Sequence, residues 1–235
     1  MNFNFSKNNL PPQNLKFNGK LINVAKKIKL LGVILTDDLK WAENTLNICS
    51  KVNKKLYLIR MMKQFGLQRA ELVTAWRAML RPITEYAVPL WHSGLTECDS
   101  GNIEMLQKKA LGTILGCVYV DNKRYYKLEN EHVTYLDTLQ NIGLTTLNKC
   151  REVLTSKFAL ETARNESQND MFLKKQNNHI TTRNRLILEE PHCKTDRYYR
   201  STIPYMSRIL NAVVISKRKV ELKPTVTESC GLQTH

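Results

Sequence analysis

The sequence predicts a mainly α fold with a small N-terminal β element, of the α+β class. Apolar residues recur at helical spacing in four or five segments. Only three short runs have strand character, and all lie within the first forty residues. The composition, 42% hydrophobic and 24% charged over 235 residues, is that of a folded chain with enough length for a substantial core.

The first forty residues contain the predicted strands. Residues 15–17 and 21–24 flank an Asn-Gly turn signal and predict a short hairpin. The apolar run over residues 27–35 predicts one further strand, in which Gly32 indicates a bulge or a close backbone approach. Thr36-Asp37-Asp38 ends this strand and predicts a cap for the next helix.

From Trp41 the apolar spacing becomes helical. The first predicted helix ends at Gly66, and its apolar stripe is formed by Ile48, Val52, Leu56 and Ile59. A second helix runs from about residue 69, and Pro82 predicts a kink or a restart within it. A third helix is predicted over residues 103–117, and a fourth runs from about residue 144 to residue 158.

These patterns divide the chain into three parts. Residues 1–40 form the β segment and residues 41–164 form a helical domain. Residues 165–235 form an extended basic tail with one short helix near residues 204–215. Apolar runs are too short for a membrane span, and the first residues lack the apolar stretch of a secretory signal. We therefore expect an intracellular protein, nuclear or cytoplasmic.

The basic charge is unevenly distributed. The net charge is +15, with 12 basic and 3 acidic side chains in residues 1–65, nine of each in residues 66–150, and 15 and 9 in residues 151–235. Such basic clusters are typical of a nucleic-acid partner, and ordinary solubility charge explains them equally well. The candidate contacts to a nucleic-acid backbone are Lys51, Lys54, Lys55, Arg60, Lys63, Lys108 and Lys109.

No pattern in the sequence assembles a catalytic, cofactor or metal centre. The six cysteines and five histidines lack zinc-site spacing, and no glycine-rich phosphate loop is present. Asp37-Asp38 is the one pair that suggests a polymerase metal site, but no earlier strand supplies a partner carboxylate. We therefore expect no catalytic residue, no metal, no cofactor and no small-molecule substrate.

Several segments match one family in the order in which they occur. Residues 81–91, which begin with Arg81-Pro82-Ile83 and end with Pro89-Leu90-Trp91, are the longest of them. The others are residues 29–35, 38–41, 55–60, 65–66, 106–111, 144–147 and 203–211. Together they resemble the LINE-type (non-LTR) retrotransposon reverse transcriptases of the jockey-like sort.

The resemblance implies a helical, thumb-like bundle that follows the end of a polymerase palm. In that family the catalytic aspartates lie upstream of the strand that corresponds to Leu31-Gly32. The chain would therefore be a non-catalytic C-terminal remnant of an RNA-directed DNA polymerase. Leu31 and Gly32 would lie in a strand near the primer terminus, and the basic helix over residues 48–63 would face the template–primer.

Three functions remain open at this point. The first is sequence-tolerant binding of an RNA or DNA backbone through the basic side chains. The second is a protein-interaction module without nucleic-acid binding, whose apolar surface would contact the missing palm or another protein. The third, a working polymerase, requires carboxylates that the sequence does not supply.

Overall fold

A computed structural model describes residues 16–21, 24–129, 131–165, 167–172 and 188–221 of the chain. Helices dominate these residues and the strands are short, so the predicted mainly α fold is confirmed. The chain forms two compact units, Met1–Thr155 and Ser156–His235. The three-part division of the sequence stays a prediction, and residues 173–187 of the predicted extended connection lie outside the described residues.

The first two strands form the predicted hairpin. Strand β1 (Lys16–Phe17) pairs antiparallel with β2 (Lys20–Leu21). Asn18 and Gly19 have positive φ angles of 47° and 76°, as a two-residue hairpin turn requires.

The single strand predicted over residues 27–35 is wrong. The structure has two antiparallel strands, β3 (Lys27–Leu30) and β4 (Val33–Thr36). Leu31 and Gly32 form the turn between them, with φ angles of 46° and 87°. Two consecutive residues in the left-handed region reverse the chain, so Leu31 and Gly32 lie in a turn and not in the strand implied by the resemblance.

Two long helices form the frame of the first unit. Helix α1 (Ala42–Gln64) and helix α5 (Glu97–Leu115) pack along one another. The predicted apolar stripe of α1 is buried, with Val52 and Ile59 completely inaccessible. Helix α1 covers the first predicted helix, which is therefore confirmed. Each fully buried aliphatic side chain of the stripe contributes about 1.5–3 kcal/mol to the stability of the fold.

The second predicted helix restarts, as Pro82 indicated. Helix α2 (Arg69–Ala75) continues into one π-helical turn (Trp76–Leu80) and then into α3 (Arg81–Glu85). The Arg81 N–H donates to the Trp76 carbonyl, five residues back. A short helix α4 (Val88–Trp91) and a 3₁₀ turn (His92–Gly94) follow before α5.

The region between the third and fourth predicted helices contains a sheet that the sequence analysis missed. Strands β5 (Cys117–Val120), β6 (Lys123–Leu128) and β7 (Glu131–Val133) form an antiparallel meander. Helix α6 (Tyr135–Asn141) follows. The third helix was predicted to include Cys117, but Gly116, with a φ of 85°, ends α5 and starts the sheet.

Helix α7 (Leu147–Arg164) is the fourth predicted helix. The second unit has its own small core, formed by Ala159, Phe172, Leu188, Met206 and Leu210. Helix α8 (Asp196–Tyr199) and helix α9 (Thr202–Glu221) complete it, and α9 is longer than the predicted short helix near residues 204–215. No helix in the described part of the chain has the length and apolar character needed to cross a bilayer.

Candidate nucleic-acid interface

A groove of about 570 Å³ opens on the surface of the first unit. It lies between the β3–β4 turn, the first half of α1 and helix α3. Its walls are formed by Gly32, Val33, Asn44, Asn47, Ile48, Lys51, Lys54, Lys55, Pro82, Ile83 and Tyr86. The described lining residues include three lysines and no Asp or Glu.

The periodicity of α1 places the three lysines together. Lys54 and Lys55 are three and four residues after Lys51, so the three side chains share one helix face. The buried stripe of α1 fixes the rotation of the helix, because its apolar residues are held in the core. As a result all three lysines are exposed at the wall of the groove.

Two asparagines, Asn47 and Asn44, form the same wall about one and two turns before Lys51. Asn44 is buried, and its Oδ1 accepts a hydrogen bond of 3.2 Å from the Ile34 N–H. This bond attaches the β3–β4 hairpin to α1. Asn47 also lines the groove, and its Nδ2 is buried without a hydrogen-bond partner among the described residues.

Tyr86 stands on the opposite wall, at the C-terminal end of α3. Its hydroxyl donates a hydrogen bond of 2.7 Å to the Leu31 carbonyl in the β3–β4 turn. A β carbon placed on Gly32 would lie 3.4 Å from Cε1 of Tyr86. This distance is an ordinary van der Waals contact, so the bulge or close backbone approach that the sequence indicated at Gly32 is not found. A glycine suits this position because the turn needs a positive φ.

The structure brings some predicted site residues together. Lys51, Lys54 and Lys55 share one wall, and Gly32 lies at the edge of the same groove. Leu31 does not line it, and this side chain is 83% exposed on the turn.

The other predicted basic residues lie elsewhere. Arg60 is exposed, but it follows Lys51 by nine residues, which is two and a half helical turns, and so it lies on the far side of α1. The Lys63 ammonium donates to the Thr113 and Ile114 carbonyls, at 2.7 and 3.1 Å. Lys63 thus satisfies carbonyls at the end of α5 and does not belong to the groove.

The two lysines of α5 also lie outside the groove. The Lys108 ammonium is 5.0 Å from the centre of the Tyr135 ring, where it makes a cation–π contact. Lys109 is exposed. Neither side chain lines the groove.

The predicted capping role of Asp37-Asp38 is wrong. Helix α1 has Trp41 at its N-cap and no side-chain cap. Asp38 accepts hydrogen bonds from the Thr36 hydroxyl and the Lys40 N–H, at 2.7 and 3.1 Å. The Thr36 hydrogen bond and the nearby Lys40 lower the pKa of Asp38 to about 2. The carboxylate therefore closes the turn after β4, because these nearer donors compete with the helix end.

The described part of the chain holds no group of three or more His, Cys, Asp or Glu side chains placed to bind a metal ion. The described cysteines, Cys49, Cys98, Cys117, Cys150 and Cys193, form no disulfide with one another. The sixth, Cys230, lies outside the described residues.

Sequence reasoning did not identify Asn44, Asn47 and Tyr86 as residues of the groove. Asn44 and Asn47 continue the lysine row at three- and four-residue spacing, and this spacing was the signal that could have found them. Tyr86 reaches the groove from a different helix, so no local pattern in the sequence connects it with the lysines.

None of the protein-family models, curated proteins and solved structures compared with this chain matches it.

Proposed function

We propose that this chain binds the backbone of nucleic acid in the groove, with little sequence preference and without catalysis. The observation that carries the proposal is the convergence of Lys51, Lys54 and Lys55 on one wall. The ion pairs of the described residues do not include these three lysines.

Electrostatics gives a physical reason for an anionic ligand. Lys51 and Lys55 are four residues apart, a spacing at which like charges destabilise a helix by roughly 0.2–0.5 kcal/mol. A phosphate between them would relieve this repulsion. Each phosphate that a lysine neutralises also releases counterions, and this release makes binding strongly dependent on salt.

The resemblance to LINE-type reverse transcriptases supports the same proposal. It assigns the basic helix, here α1, to the side that faces the template–primer. We propose accordingly that the chain is a reverse-transcriptase-like protein whose retained role is contact with nucleic acid.

The replacement of Lys51, Lys54 and Lys55 by Gln tests the proposal. The variant should weaken binding equally across sequences and reduce the salt slope by about two to three units, since each lost phosphate contact removes roughly 0.7–0.9. Fluorescence anisotropy with a labelled oligonucleotide, titrated at several salt concentrations, measures both quantities. Helix content should stay unchanged because the three side chains are exposed.

A matched control removes the same charge elsewhere. Lys123, Lys127 and Lys157 are exposed and lie outside the groove. Their replacement by Gln should change the salt slope by less than one unit. If the groove variant binds as well as the parent at low salt, the lysine face is ordinary surface and the proposal fails.

We also expect no DNA synthesis by this chain. Two-metal phosphoryl transfer needs carboxylates that converge from separate strands, whereas Asp38 is committed to the turn after β4. Extension of a primed RNA template with Mg²⁺ or Mn²⁺ measures this activity. Metal-dependent extension that Asp38→Asn abolishes would make the pair catalytic and contradict the expectation.

A second function is favoured by the outer surface of the β3–β4 hairpin. Ile28, Leu30 and Leu31 are 45, 54 and 83% exposed and lie close together along the strand and its turn. Such a patch suits contact with another protein. The salt titration separates the two functions, because apolar contact is not weakened by added salt.

A further inference from the structure

We infer that the groove binds a single strand of nucleic acid. One base of the strand stacks on the ring of Tyr86, and the phosphates of the strand contact Lys51, Lys54 and Lys55. This inference rests on the proposed function and adds the form of the nucleic acid. A duplex, in contrast, would meet the lysines from outside and leave the interior of the groove unused.

The size of the groove is the first argument. Its volume of about 570 Å³ lies in the range, roughly 300–1,000 Å³, of sites that enclose one small ligand. This space holds on the order of one or two nucleotides, whereas a double helix is much wider. A strand that leaves the duplex form can place a nucleotide inside.

The chemistry of the walls is the second argument. Opposite the lysines the groove is lined by Pro82, Ile83 and Tyr86, which present apolar and aromatic surface. Phosphates have no favourable contact with such a wall, but the face of an unpaired base does. In a duplex these faces are stacked on their neighbours and are inaccessible.

The Tyr86 ring is both accessible and held in place. The side chain is 55% exposed. Its hydroxyl is anchored on the Leu31 carbonyl and its edge lies against Gly32. A ring fixed at its far end loses little freedom when a base stacks on it, so the stacking energy is retained in the affinity.

Asn47 adds a polar side chain to the lining of the same groove. The lining thus combines cations, which suit the phosphates, with a ring, which suits a base. A single strand uses both kinds of contact.

The experiment compares four labelled probes by fluorescence anisotropy at one salt concentration. They are an oligothymidylate and an oligouridylate of about ten nucleotides, an abasic deoxyribose-phosphate strand of the same length, and a blunt duplex with the same number of phosphates. We expect the base-bearing strands to bind about tenfold more tightly than the abasic strand and the duplex. The two base-bearing strands show whether RNA or DNA is preferred.

Three variants test whether this difference in affinity depends on the ring of Tyr86. Tyr86→Leu should bind the base-bearing strands about tenfold more weakly and the abasic strand as the parent does. Tyr86→Phe keeps the ring and should keep most of the discrimination. Tyr57→Leu is the matched control, because Tyr57 is 57% exposed on α1 but lies outside the groove.

The outcomes distinguish the inference from the proposed function. Equal affinity for the base-bearing and abasic strands, or an equal effect of Tyr86→Leu and Tyr57→Leu, overturns the inference while lysine-dependent binding remains. A duplex bound as tightly as the single strands overturns it as well. If no probe binds even at low salt, both the inference and the proposed function are wrong.

Discussion

Trp91→Ala is expected to lower the free energy of unfolding by about 3–5 kcal/mol. Trp91 is completely buried in the core of the first unit. Its Nε1–H donates a hydrogen bond of 2.9 Å to the Tyr86 carbonyl, so truncation also leaves a carbonyl without its donor. A domain of ordinary stability has only about 5–15 kcal/mol in total. Urea denaturation followed by circular dichroism measures the loss.

A pair of phenylalanine variants isolates the hydrogen bond. Trp76 is also completely buried, but its Nε1 has no partner among the described residues. Trp76→Phe removes an unsatisfied donor, whereas Trp91→Phe breaks a bond. We expect Trp91→Phe to be the more destabilising by roughly 1 kcal/mol. If Trp76→Phe lowers the free energy of unfolding more than Trp91→Phe does, the loss of side-chain volume outweighs the loss of the hydrogen bond.

Glu104→Ala is expected to destabilise the first unit by about 2–4 kcal/mol, since several donors lose their acceptor. Glu104 on α5 accepts from the Leu147 and Asn148 N–H groups, at 3.2 and 3.1 Å, and so caps the start of α7. Its carboxylate also accepts from the Tyr135 hydroxyl. Burial and Glu104 raise the pKa of Tyr135 above its usual value near 10, and this keeps the hydroxyl protonated as a donor.

The matched control is Glu97→Ala in the first turn of the same helix. Glu97 is exposed, and its loss should cost only a few tenths of a kcal/mol through the helix dipole. Glu104→Gln keeps one acceptor oxygen, so its loss of stability should lie between those of Glu97→Ala and Glu104→Ala. Thermal unfolding of the three variants checks the order, and equal losses for Glu97→Ala and Glu104→Ala would refute the capping role.

The long helices could be predicted because each carries its own apolar stripe, whereas the short separate helices α4, α6 and α8 were missed. In α1 the buried Val52, Leu56 and Ile59 lie where the spacing places them. The β5–β7 sheet was missed because its strands are short and half-exposed, so no long run of alternation marks it. The reversal at Leu31-Gly32 was missed because Leu31 in the left-handed region is unusual for a branched apolar residue.

The candidate site was predictable only in part, because tertiary packing decides which of the predicted residues meet. Helical spacing places Lys51, Lys54 and Lys55 on one face without further information. The same reasoning did not reveal that Lys63 would find carbonyls on α5, because that contact depends on how two distant helices pack. Tyr86 belongs to the site only through the tertiary fold.

The π-helical turn at Trp76–Leu80 makes the orientation of α3 depend on the number of residues between α2 and α3. One π turn contains one more residue than an α turn and therefore rotates everything after it by about 100°. This rotation lets Leu72 and Trp76 face the core while Ile83 and Tyr86, further along, reach the groove. Loss of one residue such as Ala78 would give a regular helix and turn the Tyr86 wall away from the lysines. A change in the number of residues between α2 and α3 would therefore displace one wall of the groove, even if every core side chain were kept.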